Sequence, residues 1–361
     1  MQKPNNSFVL KAYFCGMEHQ PYMQRCLQLA ENGVGTTSPN PMVGSVIVHN
    51  NQIIGEGWHR KAGEPHAEVM AIRSVKNKDL LRESTLYVNL EPCAHHGRTP
   101  PCSDLIIENN IARVVIGSRD PFDEVNGKGI AKMQAKGIEI IENILPDECR
   151  DLNKRFFTFH NKKRPYILLK WAQSSDGFMD KIRTAGETGP NWITGKEAKM
   201  LVHKWRSEED AILVGAGTVA NDNPSLTVRE VSGKNPVRLL IDPSLRTEKN
   251  KNILDQSVPT VVFNRLKEGP DGNIQYVQIT DDTPLLPALL EYCYEAGITS
   301  ILVEGGACTL QQFIGTNLWD EARIWTGNEP FLNGLKSPEI KGVVGNRSTF
   351  GSDRLQILYN K

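Results

Sequence analysis

The sequence predicts an α/β protein of two domains. Apolar segments of strand length alternate with amphipathic segments of helix length along most of the chain, and this alternation is typical of a sheet covered by helices on both faces. A chain of 361 residues with 39% apolar content is long enough to form two cores. A polar stretch over residues 146–164, bounded by prolines, connects the halves, so we expect domains over 18–145 and 165–361.

The elements of the first domain follow from periodicity and turn signals. Residues 1–17 carry no clear pattern and are set aside as an uninformative extension, in which Met17 is an alternative initiator. Helical spacing starts near Pro21 and stops at Asn32-Gly33. A turn at Asn50-Asn51 between apolar runs predicts a hairpin. We then expect helices over 66–75, 102–109 and 129–136, strands over 84–90, 112–117 and 137–141, and a short helix inside 146–164.

The second domain shows the same alternation. Its runs of branched apolar residues predict strands, and its amphipathic segments predict helices. We expect strands over 166–172, 211–215, 237–241, 259–263, 274–279 and 300–303, and helices over 196–206, 285–296 and 310–314, with a helical start at 217.

Two short motifs in the first domain predict a catalytic zinc site. His66, Cys93 and Cys102 offer one imidazole and two thiolates, which leave the fourth position of a tetrahedral Zn²⁺ ion open for water. Glu68, two residues after His66, is close enough along a helix to exchange protons with that water without ligating the metal. His-x-Glu followed by Pro-Cys and a second cysteine is the pattern of zinc deaminases.

The spacing of the two cysteines departs from that pattern. Eight residues separate Cys93 from Cys102, where the usual motif has two. Gly97 and the pair Pro100-Pro101 are the residue types that turn a chain back on itself. We therefore expect this loop to return Cys102 to the metal.

Three further positions keep two interpretations each. Asn40, between two prolines, has an amide suited to reading the edge of a heterocyclic base, or it forms a turn before the next strand. Gly305-Gly306 follows a strand and opens a helix, which suits phosphate binding, but many ordinary turns look alike. Glu304 is either a polar contact for a substrate or a helix cap.

Composition excludes several classes of protein. The net charge is zero and the pI is near 7.1, so no basic surface for a nucleic-acid backbone is expected. No apolar run reaches the length of a membrane helix, and the start of the chain has no adequate apolar core for a secretory signal. Seven cysteines without framework spacing indicate reduced thiols and metal ligands in a cytoplasmic enzyme.

Together these residues resemble a known family. The motifs are Pro39-Asn40-Pro41, His66-Ala67-Glu68, Pro92-Cys93 to Pro101-Cys102 with Gly97-Arg98-Thr99 in the loop, Asp176-Gly177, Trp192-Ile193-Thr194, the run from Ala220 to Arg229, and Val303-Glu304-Gly305-Gly306. From about Tyr22 onward the chain resembles the bifunctional deaminase/reductase family of riboflavin biosynthesis. The long cysteine loop distinguishes that family from cytidine and tRNA deaminases.

The resemblance implies a fold, two reactions and two cofactors. The first domain would be a cytidine-deaminase-like α/β/α sandwich that uses Zn²⁺ to remove the 2-amino group of 2,5-diamino-6-ribosylamino-4(3H)-pyrimidinone 5′-phosphate. The second would be a dihydrofolate-reductase-like α/β domain that reduces the ribosyl group to ribityl with NADPH. The family also implies a homo-oligomer acting on a small phosphorylated pyrimidine, with no nucleic acid or membrane partner.

The resemblance also assigns site residues. His66, Cys93 and Cys102 would bind zinc, and Glu68 would transfer the proton. The expected NADPH contacts are Ala172, Trp192, Thr194, Thr218, Asp222, Gly305 and Gly306. The expected substrate contacts are Asn40, Lys170, Arg206, Leu226, Arg229 and Glu304, with the two arginines as forks for a phosphate. Lys170, Asp222 and Glu304 are the candidates for proton donation or for orienting the open-chain sugar.

The chain departs from the family pattern at two places. Pro190 stands where the family has a small polar residue that contacts substrate, and the loop over 120–129 is longer than the family form. Two alternatives to the bifunctional enzyme also remain. One is a deaminase whose second domain binds substrate without reducing it. The other is a zinc-stabilised interaction module without turnover, although such a module has no use for Glu68.

Overall fold

A computed structural model describes residues 6–94, 100–184 and 187–360, with the side chains of residues 6–16 outside the description. The chain divides into two compact units, with the boundary between Lys162 and Lys163. The first unit contains a five-stranded sheet, and the second contains a ten-stranded sheet and a two-stranded one. Among the described residues, no helix combines the length and the apolarity needed to span a bilayer.

The first unit is a mixed sheet between two layers of helices. Its strands lie in the order β2-β1-β3-β4-β5; β1 is antiparallel to β2 and β3, and β3, β4 and β5 are parallel. The strands are β1 Gly44–His49, β2 Gln52–Trp58, β3 Thr85–Leu90, β4 Arg113–Ser118 and β5 Glu139–Glu142. The helices are α1 Asn6–Ala30, α2 Ala67–Ser74, α3 Cys102–Glu108, α4 Lys128–Gln134, α5 Pro146–Leu152 and α6 Lys154–Lys162.

The two faces of this sheet carry separate cores because successive side chains of a strand point to opposite faces. Ile47 packs with residues of α2, α3 and α4, whereas its neighbours Val46 and Val48 pack with α1 and α5. The predicted covering of both faces is confirmed. The predicted hairpin is confirmed as well, since Asn50 and Asn51 have φ of 48° and 62°, the left-handed region that its two-residue turn requires.

Two segments of the first unit differ from the sequence prediction. Helix α1 covers Asn6–Ala30 and runs through Pro21, whereas the periodicity analysis started it near Pro21 and set residues 1–17 aside. A proline removes one helical hydrogen bond, so sequence analysis treats it as a helix boundary even where the helix continues past it. The stretch before Lys163 forms two helices, α5 and α6, rather than one helix and an extended linker.

The second unit is built on a ten-stranded sheet in the order β11-β12-β10-β9-β8-β13-β6-β14-β17-β16. From β12 to β14 the neighbouring strands are all parallel, and the outer strands add antiparallel. The ten strands are β6 Tyr166–Gln173, β8 Ala211–Gly215, β9 Val237–Ile241, β10 Thr260–Asn264, β11 Gly269–Asp271, β12 Ile274–Gln278, β13 Ser300–Val303, β14 Glu321–Thr326, β16 Val343–Phe350 and β17 Asp353–Tyr359. Two further strands, β7 Phe178–Asp180 and β15 Leu335–Lys336, form a separate antiparallel pair. The helices are α7 Lys196–Glu208, α8 Ala216–Asp222, α9 Leu285–Glu295 and α10 Ala307–Gly315.

Helices cover both faces of this sheet too. Helices α9 and α10 pack on the face that carries Ile167 and Leu169, and α7 and α8 pack on the face that carries Leu168. The six strands and the helices predicted for this half are present, with bounds shifted by a residue or two at most ends. Strands β7, β11 and everything after α10 were not predicted. In β14 the buried pair Glu321 and Arg323, 2.6 Å apart, interrupts the apolar pattern that identifies a strand.

Candidate functional site

The three predicted zinc ligands converge in the first unit. His66 lies immediately before α2, Cys102 is the first residue of α3, and Cys93 follows the end of β3. The Nδ1 atom of His66 lies 3.6 Å from the Sγ of Cys93 and 3.3 Å from the Sγ of Cys102. All three ligand atoms lie within 4.8 Å of one another. The loop therefore returns Cys102 to Cys93, although the predicted turn residue Gly97 lies outside the described residues.

This cluster fits a zinc ion. Zinc bonds of about 2.3 Å to sulfur and about 2.0 Å to nitrogen, at tetrahedral angles, place such atoms about 3.5–3.8 Å apart. The sulfur–nitrogen distances above are close to that range. The hydrogen bond from Cys102 and the neighbouring His66 lower the pKa of Cys93 to about 4, against the effect of burial. A thiolate, the form that binds a metal, is therefore stable at this position.

Glu68 lies in the first turn of α2 and is buried. Burial raises the pKa of its carboxyl group, while the charge of His66 and a hydrogen bond with Cys102 lower it. A carboxyl group with a raised pKa binds a proton more readily than an exposed carboxylate, which suits a group that accepts and returns one. The carboxylate of Glu68 is not part of the three-ligand cluster.

His59 is a neighbour of this site that the sequence analysis missed. It directly follows β2 and is 2% exposed. Its Nε2 accepts a hydrogen bond from the amide of Asn40 at 3.1 Å, its Nδ1 donates to the carbonyl of Pro65 at 3.2 Å, and its ring packs edge-on against His66. The side chain of Asn40 is thus oriented beside the zinc ligands. The only sequence signal was a histidine at a strand end.

A buried carboxylate links the segment before Cys93 to the start of α4. Glu91 accepts backbone hydrogen bonds from Gly127 at 3.0 Å and Ile130 at 3.3 Å, at the start of α4. A β-carbon at Gly129 would lie 2.2 Å from the carbonyl oxygen of Pro92, so only glycine allows α4 to approach this closely. The 120–129 loop, predicted to depart from the family form, is therefore packed against the segment that carries Cys93.

In the second unit, the predicted cofactor and substrate residues line one cavity of about 800 Å³. It opens at the carboxyl ends of the parallel strands, where ligands bind in open α/β sheets. Its volume lies within the range of small-molecule sites. The lining includes Lys170, Ala172, Trp192, Thr194, Arg206, Thr218, Asp222, Leu226, Arg229, Glu304, Gly305 and Gly306.

The glycine turn of this cavity is shaped for close approach. The N–H of Gly306 donates to the Oγ1 of Thr218 at 3.0 Å. A β-carbon at Gly305 would lie 2.7 Å from the side chain of Thr309, so a larger residue does not fit. Glu304 does not cap the helix that follows, because Gly306 is its N-cap. The turn therefore fits a nucleotide such as NADPH, with the start of α10 facing the cavity.

Arg206, Glu304 and Lys170 form a buried ionic cluster in the cavity wall. The Nε and Nη2 atoms of Arg206 each lie 2.8 Å from an oxygen of Glu304, and the Nζ of Lys170 lies 3.8 Å from it. Burial raises the pKa of Glu304, but Arg206 and Lys170 outweigh it and hold that pKa at about 2. The fork that the sequence analysis assigned to a phosphate is here bonded to a carboxylate, because a buried acid requires a cation.

Other groups of the cavity are also paired. Arg183 lies 2.7 Å from Asp222 and 2.8 Å from Asp180. Burial raises the pKa of Asp222, and the charge of Arg183 opposes that rise. Burial lowers the pKa of Lys170, although Glu304 opposes it, so this amine releases its proton more readily than an exposed lysine.

A zinc-dependent deaminase domain followed by an NADPH-dependent reductase domain is the class of protein that this fold and these sites define. Residues 17–118 match the family model of the cytidine and deoxycytidylate deaminase zinc-binding region, and residues 165–336 match that of the RibD C-terminal domain. The chain belongs to the RibD family of riboflavin-biosynthesis proteins. It is 40% identical to the Aquifex aeolicus riboflavin biosynthesis protein RibD over 88% of this chain and 89% of the relative.

Other relatives match over most of the chain. The Escherichia coli RibD is 41% identical, over 86% of this chain and 87% of that one. A solved Thermotoga maritima diaminohydroxyphosphoribosylaminopyrimidine deaminase/5-amino-6-(5-phosphoribosylamino)uracil reductase superposes with a TM-score of 0.86 at 36% identity, covering 96% of this chain and 99% of that one. Acinetobacter baumannii RibD gives 0.86 at 31% identity with the same coverage. The predicted fold class, both activities and both cofactors, Zn²⁺ and NADPH, are confirmed.

Proposed function

We propose that the chain carries out two consecutive steps on one phosphorylated pyrimidine. The first unit hydrolyses the 2-amino group of 2,5-diamino-6-ribosylamino-4(3H)-pyrimidinone 5′-phosphate and releases ammonia. The second reduces the ribosyl group of that product to ribityl, which gives 5-amino-6-ribitylamino-uracil 5′-phosphate. The observation that carries this proposal is the convergence of His66, Cys93 and Cys102 beside the buried Glu68.

In the deamination, His66, Cys93 and Cys102 hold zinc. Bound zinc lowers the pKa of a water molecule toward neutrality and so supplies a hydroxide nucleophile. Glu68 accepts the proton of that water and returns it to the departing amine, a role that its raised pKa supports. Asn40, oriented by His59, contacts the edge of the pyrimidine through its amide.

In the reduction, the glycine turn and the residues around it hold the cofactor. Ala172, Trp192, Thr194, Thr218, Asp222, Gly305 and Gly306 are the proposed contacts to NADPH. NADPH supplies a hydride for C1′ of the open-chain sugar. Lys170 donates the accompanying proton, because its pKa is lowered and it faces Glu304 across 3.8 Å. Glu304, fixed by Arg206, orients the sugar hydroxyls.

Of the two arginines predicted as forks for the substrate phosphate, one is already paired with an acid. Arg206 is bonded to Glu304 through two nitrogens, whereas Arg229 forms no ion pair with any described residue. Arg229 also lines the cavity together with Leu226. We therefore place the 5′-phosphate at Arg229, with Leu226 contacting the substrate beside it.

Domain limits, assembly and location belong to the same proposal. We retain a deaminase domain over 18–145, a connecting segment over 146–164 and a reductase domain over 165–361. We also retain a cytoplasmic homo-oligomer that acts on a small molecule and contacts neither nucleic acid nor membrane. Light scattering of the purified chain measures the assembly, and a monomer at micromolar concentration would contradict it.

The test of the proposal is a coupled assay on one purified sample. Ammonia release and the loss of NADPH absorbance are followed separately after addition of the diamino substrate. We expect ammonia first and NADPH oxidation after it, in equal amounts. A Glu68→Gln variant should stop both signals with the diamino substrate but keep NADPH oxidation with the deaminated intermediate. If wild-type protein releases ammonia but never oxidises NADPH, the reductase half of the proposal is wrong.

A further inference from the structure

The segment from Leu226 to Arg229 forms part of the cavity wall, and hydrogen bonds from side chains elsewhere hold its backbone. Leu226 is 2% exposed and has a φ of 55°, a left-handed conformation that is costly for a residue with a β-carbon. Side chains from α7 and from the loop after the segment hold the three residues that follow it. Their bonds are Arg206 Nη1 to the Thr227 carbonyl at 3.4 Å, the Val228 N–H to Asn235 Oδ1 at 2.8 Å, and the Arg229 N–H to His203 Nδ1 at 3.1 Å.

The bond from Arg229 to His203 defines the state of this imidazole. Because Nδ1 accepts a backbone N–H, the ring proton of the neutral form sits on Nε2. His203 is 2% exposed, lies on α7 and lines the cavity. The charged groups around it are Arg206 on the same helix, Arg229 and Glu230 on the facing segment, and Glu304 after β13. Burial and then the two arginines lower the pKa of His203 to about 4, so the ring stays neutral.

Arg229 is an exposed residue of the cavity wall. Its Nη1 donates to the Thr227 hydroxyl at 2.6 Å, and among the described residues it forms no salt bridge. The neighbouring basic groups are committed: Arg206 to Glu304, and Lys199 to Glu230 at 2.7 Å. Arg246 lines the cavity as well and forms no salt bridge among the described residues. The direction in which Arg229 leaves the backbone therefore decides where the segment from Leu226 to Arg229 offers a positive charge to the cavity.

We infer that His203 is a positioning residue for substrate binding: its Nδ1 fixes the backbone of Arg229 and so aims that guanidinium at the substrate phosphate. This inference rests on the phosphate site that the proposed function places at Arg229. It assigns to His203 an effect on affinity for phosphorylated sugars, with no contact to the reacting carbon. Binding of NADPH should not depend on it.

Three substitutions of His203 distinguish the effect of losing the Nδ1 hydrogen-bond acceptor from the effect of losing the volume of the ring. His203→Asn keeps an acceptor oxygen close to the position of Nδ1. His203→Gln moves the amide to the position of Nε2, and His203→Leu removes all hydrogen bonding. Lys204→Ala, on the exposed side of the same helix, is the matched control, since its lysine is 64% exposed. The probe is ribose 5-phosphate, with ribose as its uncharged counterpart, and binding is measured by calorimetry alongside NADPH.

We expect the Leu and Gln variants to bind ribose 5-phosphate about tenfold more weakly, the effect of one lost hydrogen bond. The Asn and Lys204→Ala variants should stay within twofold of the wild type, and NADPH and ribose affinities should not change. Equal affinity for ribose 5-phosphate in all variants would overturn the inference. So would a wild type that does not bind ribose 5-phosphate, or a His203→Asn variant that binds it as weakly as His203→Leu. The variants can differ in affinity for ribose 5-phosphate as expected while the wild type fails to reduce the deaminated intermediate. In that case the reductase proposal is wrong and the inference stands.

Discussion

Replacement of Glu304 by glutamine tests the ionic cluster in the reductase cavity. Glu304→Gln leaves the guanidinium of Arg206 buried, 12% exposed, without a carboxylate. Arginine cannot escape by losing its proton, whereas Lys170 can. The pKa of Glu304 falls from an ordinary 4.5 to about 2. At about 1.4 kcal/mol per pKa unit, this corresponds to about 3 kcal/mol of stability at neutral pH, similar to the cost of breaking a buried ion pair.

The assay is urea unfolding followed by tryptophan fluorescence, which reports mainly on the second unit because five of the six tryptophans lie there. We expect Glu304→Gln to lower the free energy of unfolding by about 3 kcal/mol. Adding Arg206→Met should recover much of that loss. The matched control is Glu230→Gln, whose pair with Lys199 is about one-third exposed, and it should cost less than about 1 kcal/mol.

The pH dependence has a defined sign. Because the pKa of Glu304 is lower in the folded than in the unfolded chain, its contribution is complete above pH 4.5 and is lost as the pH falls toward 2. The difference in stability between wild type and Glu304→Gln should therefore shrink on acidification below pH 4.5. A Glu304→Gln variant as stable as Glu230→Gln at pH 7, or a difference that grows on acidification, would refute this reasoning.

Three further predictions concern the first unit. Glu68→Gln should retain one zinc per chain by metal analysis and lose ammonia release by at least a hundredfold; a loss of zinc would mean that the carboxylate is structural. A chelator such as dipicolinate should abolish ammonia release while the same sample still oxidises NADPH with the deaminated intermediate, and parallel loss of both would contradict independent sites. His59→Leu should keep zinc but raise the KM for deamination about tenfold, since Asn40 loses a hydrogen bond, and an unchanged KM would exclude this role.

The sequence predicts well whatever depends on local spacing. His66, Glu68 and the two Pro-Cys pairs are short motifs, and their residues converge in the structure because each ligand stands at a helix start or just after a strand. The turn at Asn50-Asn51 and strand β13 follow from residue types in a window of a few positions. Patterns of this kind need no knowledge of the distant chain.

The features that the sequence did not reveal depend on distant partners. Arg206 and Glu304 are 98 positions apart, so their pairing cannot be inferred from either motif. His59 and His203 are single histidines whose roles come from Asn40 and Arg229, across the fold. Strand β14 was missed because its charged residues are buried as a pair.

X-ray absorption at the zinc edge of the purified chain tests the central claim, that one histidine and two cysteines hold a zinc ion with an open position. We predict one zinc per chain with two sulfur ligands at about 2.3 Å and two nitrogen or oxygen ligands at about 2.0 Å, one of them exchangeable water. A shell of three or four sulfurs, or a protein that releases ammonia with no zinc bound, would contradict it.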